Sequence, residues 1–149
     1  ITMKTTNKLK VYSLKKNETE FENRQIATAK DAVDYIRQFY SDDIEIYESF
    51  FLLMLNRSLK TVGYVKISQG GIIGTVVDPI IVAKYAVDSL STNIILAHNH
   101  PSGQTRPSEA DKEITEKIKE GLKLFDISVL DHVILTKESH FSFSDEGIL

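Results

Sequence analysis

The stretch Asn93-Ile94-Ile95-Leu96-Ala97-His98-Asn99-His100-Pro101-Ser102-Gly103 decides the fold. Four apolar residues in a row, running into a turn-rich segment, suit a strand buried on both faces. His98 and His100 stand two apart at its end, so their imidazoles project to one side and Asn99 to the other. Pro101 and Gly103 turn the chain. Ser108 then opens a helix running to Phe125, with Ile114, Ile118, Leu122 and Phe125 on one face. Lys and Glu cover the other face, as on a solvated surface.

Upstream, Glu48-Ser49 leads into six consecutive apolar residues, Phe50 to Leu55, a second buried strand. Arg57 to Lys60 reads as a hairpin turn. Thr61 to Ser68 alternates and reads as the partner strand, broken by Gly70-Gly71. Asp78-Pro79 opens a helix, since Asp caps well and Pro suits the first helical position. Ile80, Ala83, Val87 and Leu90 are its expected apolar stripe. Thr28-x-x-Asp31 has the spacing of a capping box before a helix through Val33, Ile36 and Phe39. Downstream, Ser128 to Leu135 and His140 to Phe143 read as strands. Leu9 to Leu14 alternates and is expected as an edge strand or ordered arm. Helices alternate with strands throughout, so the class is α/β or α+β around a mixed sheet. Residues 1–27 form an N-terminal arm or edge strand, and 28–149 one domain.

Composition narrows the chemistry. The chain has 149 residues, 42% hydrophobic and 26% charged, enough for one core without staples. It has no cysteine, which excludes disulfides, thiolate catalysis, Cys-ligated zinc fingers and iron–sulfur clusters. Any transition-metal site must use His98, His100, His132 or His140 together with carboxylates. The net charge is −3, without the basic excess of a dedicated DNA-binding domain. No long apolar run marks a membrane span, and no signal peptide is visible, so the expected compartment is the cytoplasm. Gly70, Gly71 and Gly74 do not make a dinucleotide fingerprint.

His98, His100 and Asp111 compose a three-ligand set, because a carboxylate in the first turn of the helix can swing back to the strand end. Two imidazoles and a carboxylate leave a fourth tetrahedral position for water, as in catalytic zinc sites. Each piece also has a plainer account. Paired histidines occur in turns, and Ser108-x-x-Asp111 is itself a variant capping box. A catalytic zinc needs a base. Glu48 is the candidate, on the same face as Phe50, Leu52 and Met54, with Glu45 a nearby competitor. A solvated strand terminus is the simpler account of Glu48. Asn99 is expected to tie neighbouring loops, Ser102 and Gly103 to shape the turn, and His140 to lie on the surface. Asp131-His132 either stands behind the ligands, accepting the free N–H of a ligating histidine, or, as the simpler account, is a buried hydrogen-bonded pair in a strand.

These residues together resemble the JAB/MPN metalloprotease-like domain (the JAMM motif), and specifically its RadC-like branch. That signature is a distant Glu, then His-x-His-Pro, then Ser-x-x-Asp, with ten residues between the second His and the Asp. Glu48, His98, His100, Ser108 and Asp111 occupy those positions, and Pro101 to Ala110 is ten residues. RadC-like proteins also carry His-Asn-His-Pro-Ser-Gly, matched by His98 to Gly103, and Leu-Asp-His, matched by Leu130 to His132. The likeness covers Glu45 to Leu149. It implies a mixed sheet flanked by helices, in the cytidine-deaminase-like architecture. It implies that His98, His100 and Asp111 bind Zn2+. Glu48 would act as general base and acid on a metal-activated water, and Ser108 would help hold the oxyanion. The implied reaction is hydrolysis of a peptide or isopeptide-linked protein substrate. Two other readings remain: a nucleic-acid-associated accessory of the DNA-repair type, and a non-catalytic interaction module. The residues before Glu48 show no Gly-rich hairpin of the kind that precedes this domain in full-length relatives, which weakens a DNA link of that type. The missing cysteines separate the chain from the zinc deaminases, which share the general architecture but use Cys ligands.

Overall fold

The computed structural model describes residues 9–11, 16–71 and 74–149. β1 (Ser49–Leu55) lies inside the sheet, and its seven residues are all buried. Such a strand must be covered on both faces, and it is. Phe51, Leu53 and Leu55 pack with Ile95, Ala97, Val133 and Leu135 under helix α1 (Ala29–Ile36). Phe50, Leu52 and Met54 pack with Ile94 and Leu96 under α2 (Pro79–Asp88) and α3 (Glu109–Lys123). Burying each large apolar side chain this completely stabilises the fold by about 1.5–3 kcal/mol before conformational entropy is charged against it.

The sheet has five strands in the order β2-β1-β3-β4-β5, with β2 at Thr61–Gln69, β3 at Asn93–Asn99, β4 at Ser128–Leu135 and β5 at His140–Ser142. β1 runs antiparallel to β2 and β3, β3 parallel to β4, and β4 antiparallel to β5. This is the expected mixed sheet flanked by helices. The parallel pair β3–β4 is joined through α3, as parallel strands require a crossover.

Local chemistry sets the element boundaries. Thr28 caps α1: its hydroxyl accepts the Asp31 amide at 3.1 Å, and Asp31 accepts the Thr28 amide at 3.0 Å. Asp78 accepts the Ile80 amide at 3.0 Å, and Pro79 starts α2. In the hairpin between β1 and β2, Asn56 accepts the amides of Ser58 and Lys60, both at 3.0 Å.

Three expectations need correction. The apolar stripe of α2 is not Ile80, Ala83, Val87 and Leu90. Val82 and Ala86 are the fully buried positions, while Ile80 is 75% and Leu90 83% exposed. This helix is apolar on nearly every side, so periodicity does not choose a face, and small Ala86 permits close approach. Phe125 is 60% exposed because α3 ends at Lys123 and the chain turns away through Asp126 at φ 55°. Of the strand expected over Leu9 to Leu14, Leu9 and Val11 are exposed and in no strand, and 12–14 lie outside the described residues. The arm meets the sheet later instead. Gln25 bridges Lys60, and the Ile26 amide donates to Leu59 O at 2.9 Å.

Candidate metal centre

Topology brings the site together. Because β1 is antiparallel to β3, Phe50 lies opposite His98. Continuing that register places Glu48 beside His100 at the same end of the sheet. α3 starts over this end, so its first turn carries Asp111 to the same place. Glu48, His98, His100 and Asp111 present four ligand atoms within 4.8 Å of one another.

Each side chain is held by its own neighbours. His98 is 1% exposed, with Nε2 at 2.9 Å from His100 Nε2, 3.3 Å from Asp111 Oδ1 and 3.7 Å from Glu48 Oε1. His100 Nε2 is 3.5 Å from Asp111 Oδ2. The other ring nitrogen of His100 faces Gln104 O at 2.7 Å. A carbonyl only accepts, so Nδ1 carries a hydrogen, and Nε2 is the atom that faces the cluster. Asp111 is fixed from behind by the capping box of α3: Oδ2 accepts the Ser108 amide at 2.7 Å, and Ser108 Oγ accepts the Asp111 amide at 3.0 Å. The carboxylate is therefore a helix cap and a member of the cluster at once. The hydroxyl oxygen of Ser108 is engaged with that cap.

Glu48 is held through its backbone. The Gly70 amide donates to Glu48 O at 2.8 Å. The loop after β2 then passes so close that a Cβ at Gly74 would stand 3.2 Å from Glu48 Oε2, at a φ of 139° that suits glycine. From the other side Asn99, fully buried, accepts the Ser49 amide at 2.8 Å and donates to the carbonyls of Ile44 and Tyr47, both at 2.7 Å. Asn99 thus ties loops on the face opposite His98, as expected. Ser102 and Gly103 lie in the turn, with Gly103 at φ 84°, and His140 is exposed.

The charges follow from this geometry. Burial raises the pKa of Glu48 above the ordinary carboxylate value, the imidazoles of His98 and His100 oppose that, and the Asp111 charge reinforces it. Burial also opposes ionisation of Asp111. The two imidazoles beside it and the Ser108 amide outweigh it and hold the carboxyl well below its usual range. Burial disfavours a charged His100, but hydrogen bonds to Asp111 and Gln104 O raise its pKa overall.

Two nearby residues complete the surroundings of His98: His132, which the sequence offered with two readings, and Thr115, which it did not single out. His132 on β4 is fully buried, with Nε2 at 2.8 Å from His98 Nδ1 and Nδ1 at 2.5 Å from Thr115 Oγ1. Burial drives its pKa well below that of a free imidazole. Both residues of the Asp131-His132 pair are buried and hydrogen-bonded, and the His132 ring also touches His98. Asp131 does not pair with the ring: its carboxylate accepts from the His132 and Ser144 amides and the Ser142 hydroxyl. A polar threonine in the apolar face of α3, four residues after Asp111, is the signal that could have exposed Thr115.

A mixed sheet flanked by helices, with two imidazoles and two carboxylates that could hold a metal ion at one end, defines a domain of the JAB type. The chain belongs to the RadC-like JAB domain family, whose model matches residues 26–148. A UPF0758 protein of Flavobacterium johnsoniae is 42% identical over 125 residues, covering 84% of this chain and 54% of that protein. One from Coprothermobacter proteolyticus is 36% identical over 135 residues, covering 89% and 57%. UPF0758 protein YfjY of Escherichia coli (strain K12) is 41% identical over 102 residues, covering 68% and 64%. The chain thus spans little more than half the length of the first two relatives. Among the described residues no helix is long and apolar enough to cross a membrane.

Proposed function

We propose that this domain is a zinc-dependent metallohydrolase acting on a peptide or isopeptide bond of a protein substrate. The observation that carries it is the convergence of Glu48, His98, His100 and Asp111 at one point. The donor set fits zinc. Two ligands bound to one tetrahedral ion at about 2.0–2.1 Å stand roughly 3.3 Å apart. His98 Nε2 and His100 Nε2 are 2.9 Å apart, and the Asp111 carboxylate sets Oδ1 3.3 Å from the first and Oδ2 3.5 Å from the second. Nitrogen and oxygen donors without thiolate suit a catalytic rather than a structural zinc.

His98, His100 and Asp111 would hold the ion, which when bound lowers the pKa of water from about 16 toward about 7 and polarises a carbonyl. Glu48 stands beside that position with a raised pKa, the property of a group that accepts a proton from water and returns it to a leaving amine. Its side chain is 13% exposed, so the proton it holds is largely shielded from bulk solvent. Ser108 would donate its hydroxyl hydrogen to the developing oxyanion, its oxygen meanwhile accepting the Asp111 amide. A hollow of about 130 Å3 between His100, Pro101 and Gly103 on one side and Thr136 to Ser139 on the other leaves room for substrate beside the site.

The test is metal content followed by turnover. Wild-type protein should hold about one zinc per chain, and His98→Ala/His100→Ala should hold none. Zinc retained by that double variant would refute the site. Glu48→Gln should keep zinc and lose hydrolysis across a panel of peptide and isopeptide-linked substrates, and full activity would remove Glu48 as the base. Binding to duplex DNA that weakens steeply with salt, without hydrolysis, would favour the nucleic-acid accessory reading.

A further inference from the structure

Behind His98 runs a chain of hydrogen bonds whose polarity can be worked out atom by atom. Thr115 Oγ1 lies 2.5 Å from Asp111 O and 2.5 Å from His132 Nδ1. Polar atoms this close require a hydrogen between them. The hydroxyl has one hydrogen and the carbonyl has none. Thr115 therefore donates to Asp111 O, and His132 Nδ1–H donates to Thr115. The His132 ring is fully enclosed, stacked on Phe143 at 4.7 Å and edge-on to Phe50 at 5.5 Å. No carboxylate among the described residues pairs with it, so the ring is neutral and its Nε2 is bare. That nitrogen faces His98 Nδ1 at 2.8 Å. Two bare nitrogens would repel, so His98 Nδ1 carries the hydrogen. With that hydrogen on Nδ1, Nε2 is the nitrogen His98 has for a metal ion, the atom turned toward His100, Asp111 and Glu48.

We infer that Thr115 and His132 are positioning residues that lock His98 in the Nδ1–H tautomer and so keep its Nε2 free as a metal ligand. This rests on the reading of His98 as a ligand. The relay begins at the main chain of Asp111, a second member of the cluster, so one helix turn sets both the place of the carboxylate and the polarity of the imidazole. If the relay reversed, with Thr115 donating to His132, the final hydrogen would sit on His98 Nε2 and block the donor atom. Loss of a group that orients a metal-binding imidazole typically changes metal affinity 10–100-fold.

The experiment combines 15N-histidine NMR with zinc competition. In metal-free wild-type protein both His98 and His132 should show the Nδ1–H tautomer. Thr115→Val keeps the shape but removes the acceptor, so His132 should turn to Nε2–H and zinc affinity should fall about 10–100-fold. Thr115→Ser keeps the hydroxyl and should restore both the tautomer and the affinity, which a purely steric role would not require. Nε2–H on His132 in the wild type overturns the inference. So does unchanged zinc affinity in Thr115→Val, or a loss in Thr115→Ser equal to that in Thr115→Val. The wild-type NMR decides the relay even if Thr115→Val does not fold. Wild-type protein that bound no zinc but showed both Nδ1–H tautomers would sink the metal reading and leave the relay standing.

Discussion

Asn99→Ala tests how the proposed base is held. The amide of Asn99 is fully buried and uses all of its arms on one segment: Ser49 N at 2.8 Å, Ile44 O at 2.7 Å and Tyr47 O at 2.7 Å. The partners dictate its orientation, because two carbonyls need the NH2 and an amide N–H needs the oxygen. Alanine removes three hydrogen bonds, each contributing about 0.5–1.5 kcal/mol net, and strands the buried Ser49 N–H. The expected loss is about 2–4 kcal/mol, read in urea unfolding as a lower midpoint at unchanged slope. Zinc content should persist, because His98, His100 and Asp111 come from the end of β3 and from α3. Asn99→Asp should be at least as damaging, since it sets a carboxylate oxygen against two carbonyls in a dry interior. A loss below about 1 kcal/mol in both variants, or loss of zinc at unchanged stability, would refute the reasoning.

The face of α2 is checked by a pair of substitutions. Val82→Ala should cost about 1–2 kcal/mol, whereas Ile80→Ser, on the exposed side, should stay within about 0.5 kcal/mol, and the reverse order would mean the helix is turned. Ser108→Ala should lose about 1 kcal/mol in the metal-free protein through the lost cap of α3, so an unchanged unfolding midpoint would show the cap idle. Burial raises the pKa of Asp131 above 3.8 despite its hydrogen bonds from Ser142, Ser144 and His132. A carboxyl with a raised folded pKa stabilises the fold fully below its unfolded value, and that contribution is lost as pH rises through the folded value. The advantage of wild type over Asp131→Asn should therefore shrink as pH rises from 4 toward 7, and an advantage that grows would show the carboxylate is stabilised instead.

The sequence by itself determined the elements and the donor atoms. Thr28, Asp78 and Ser108 marked helix starts because their side chains act on amides two or three residues away. Phe50 to Leu55 and Ile94 to Ala97 marked central strands because continuous apolar runs must be covered on both faces. The absence of cysteine and the spacing from His98 to Asp111 narrowed the ligands, because composition and chain interval are properties of the chain itself. Only the tertiary structure decided what depends on long-range register. It turned α2 onto Val82 and Ala86, since an all-round apolar helix has no preferred face until a sheet and α3 are packed against it. It brought Glu48 to His100 through antiparallel pairing across a long intervening segment. It set His132 behind His98, because the parallel register of β3 and β4 and the position of Thr115 on α3 are fixed only when strand, helix and strand pack together.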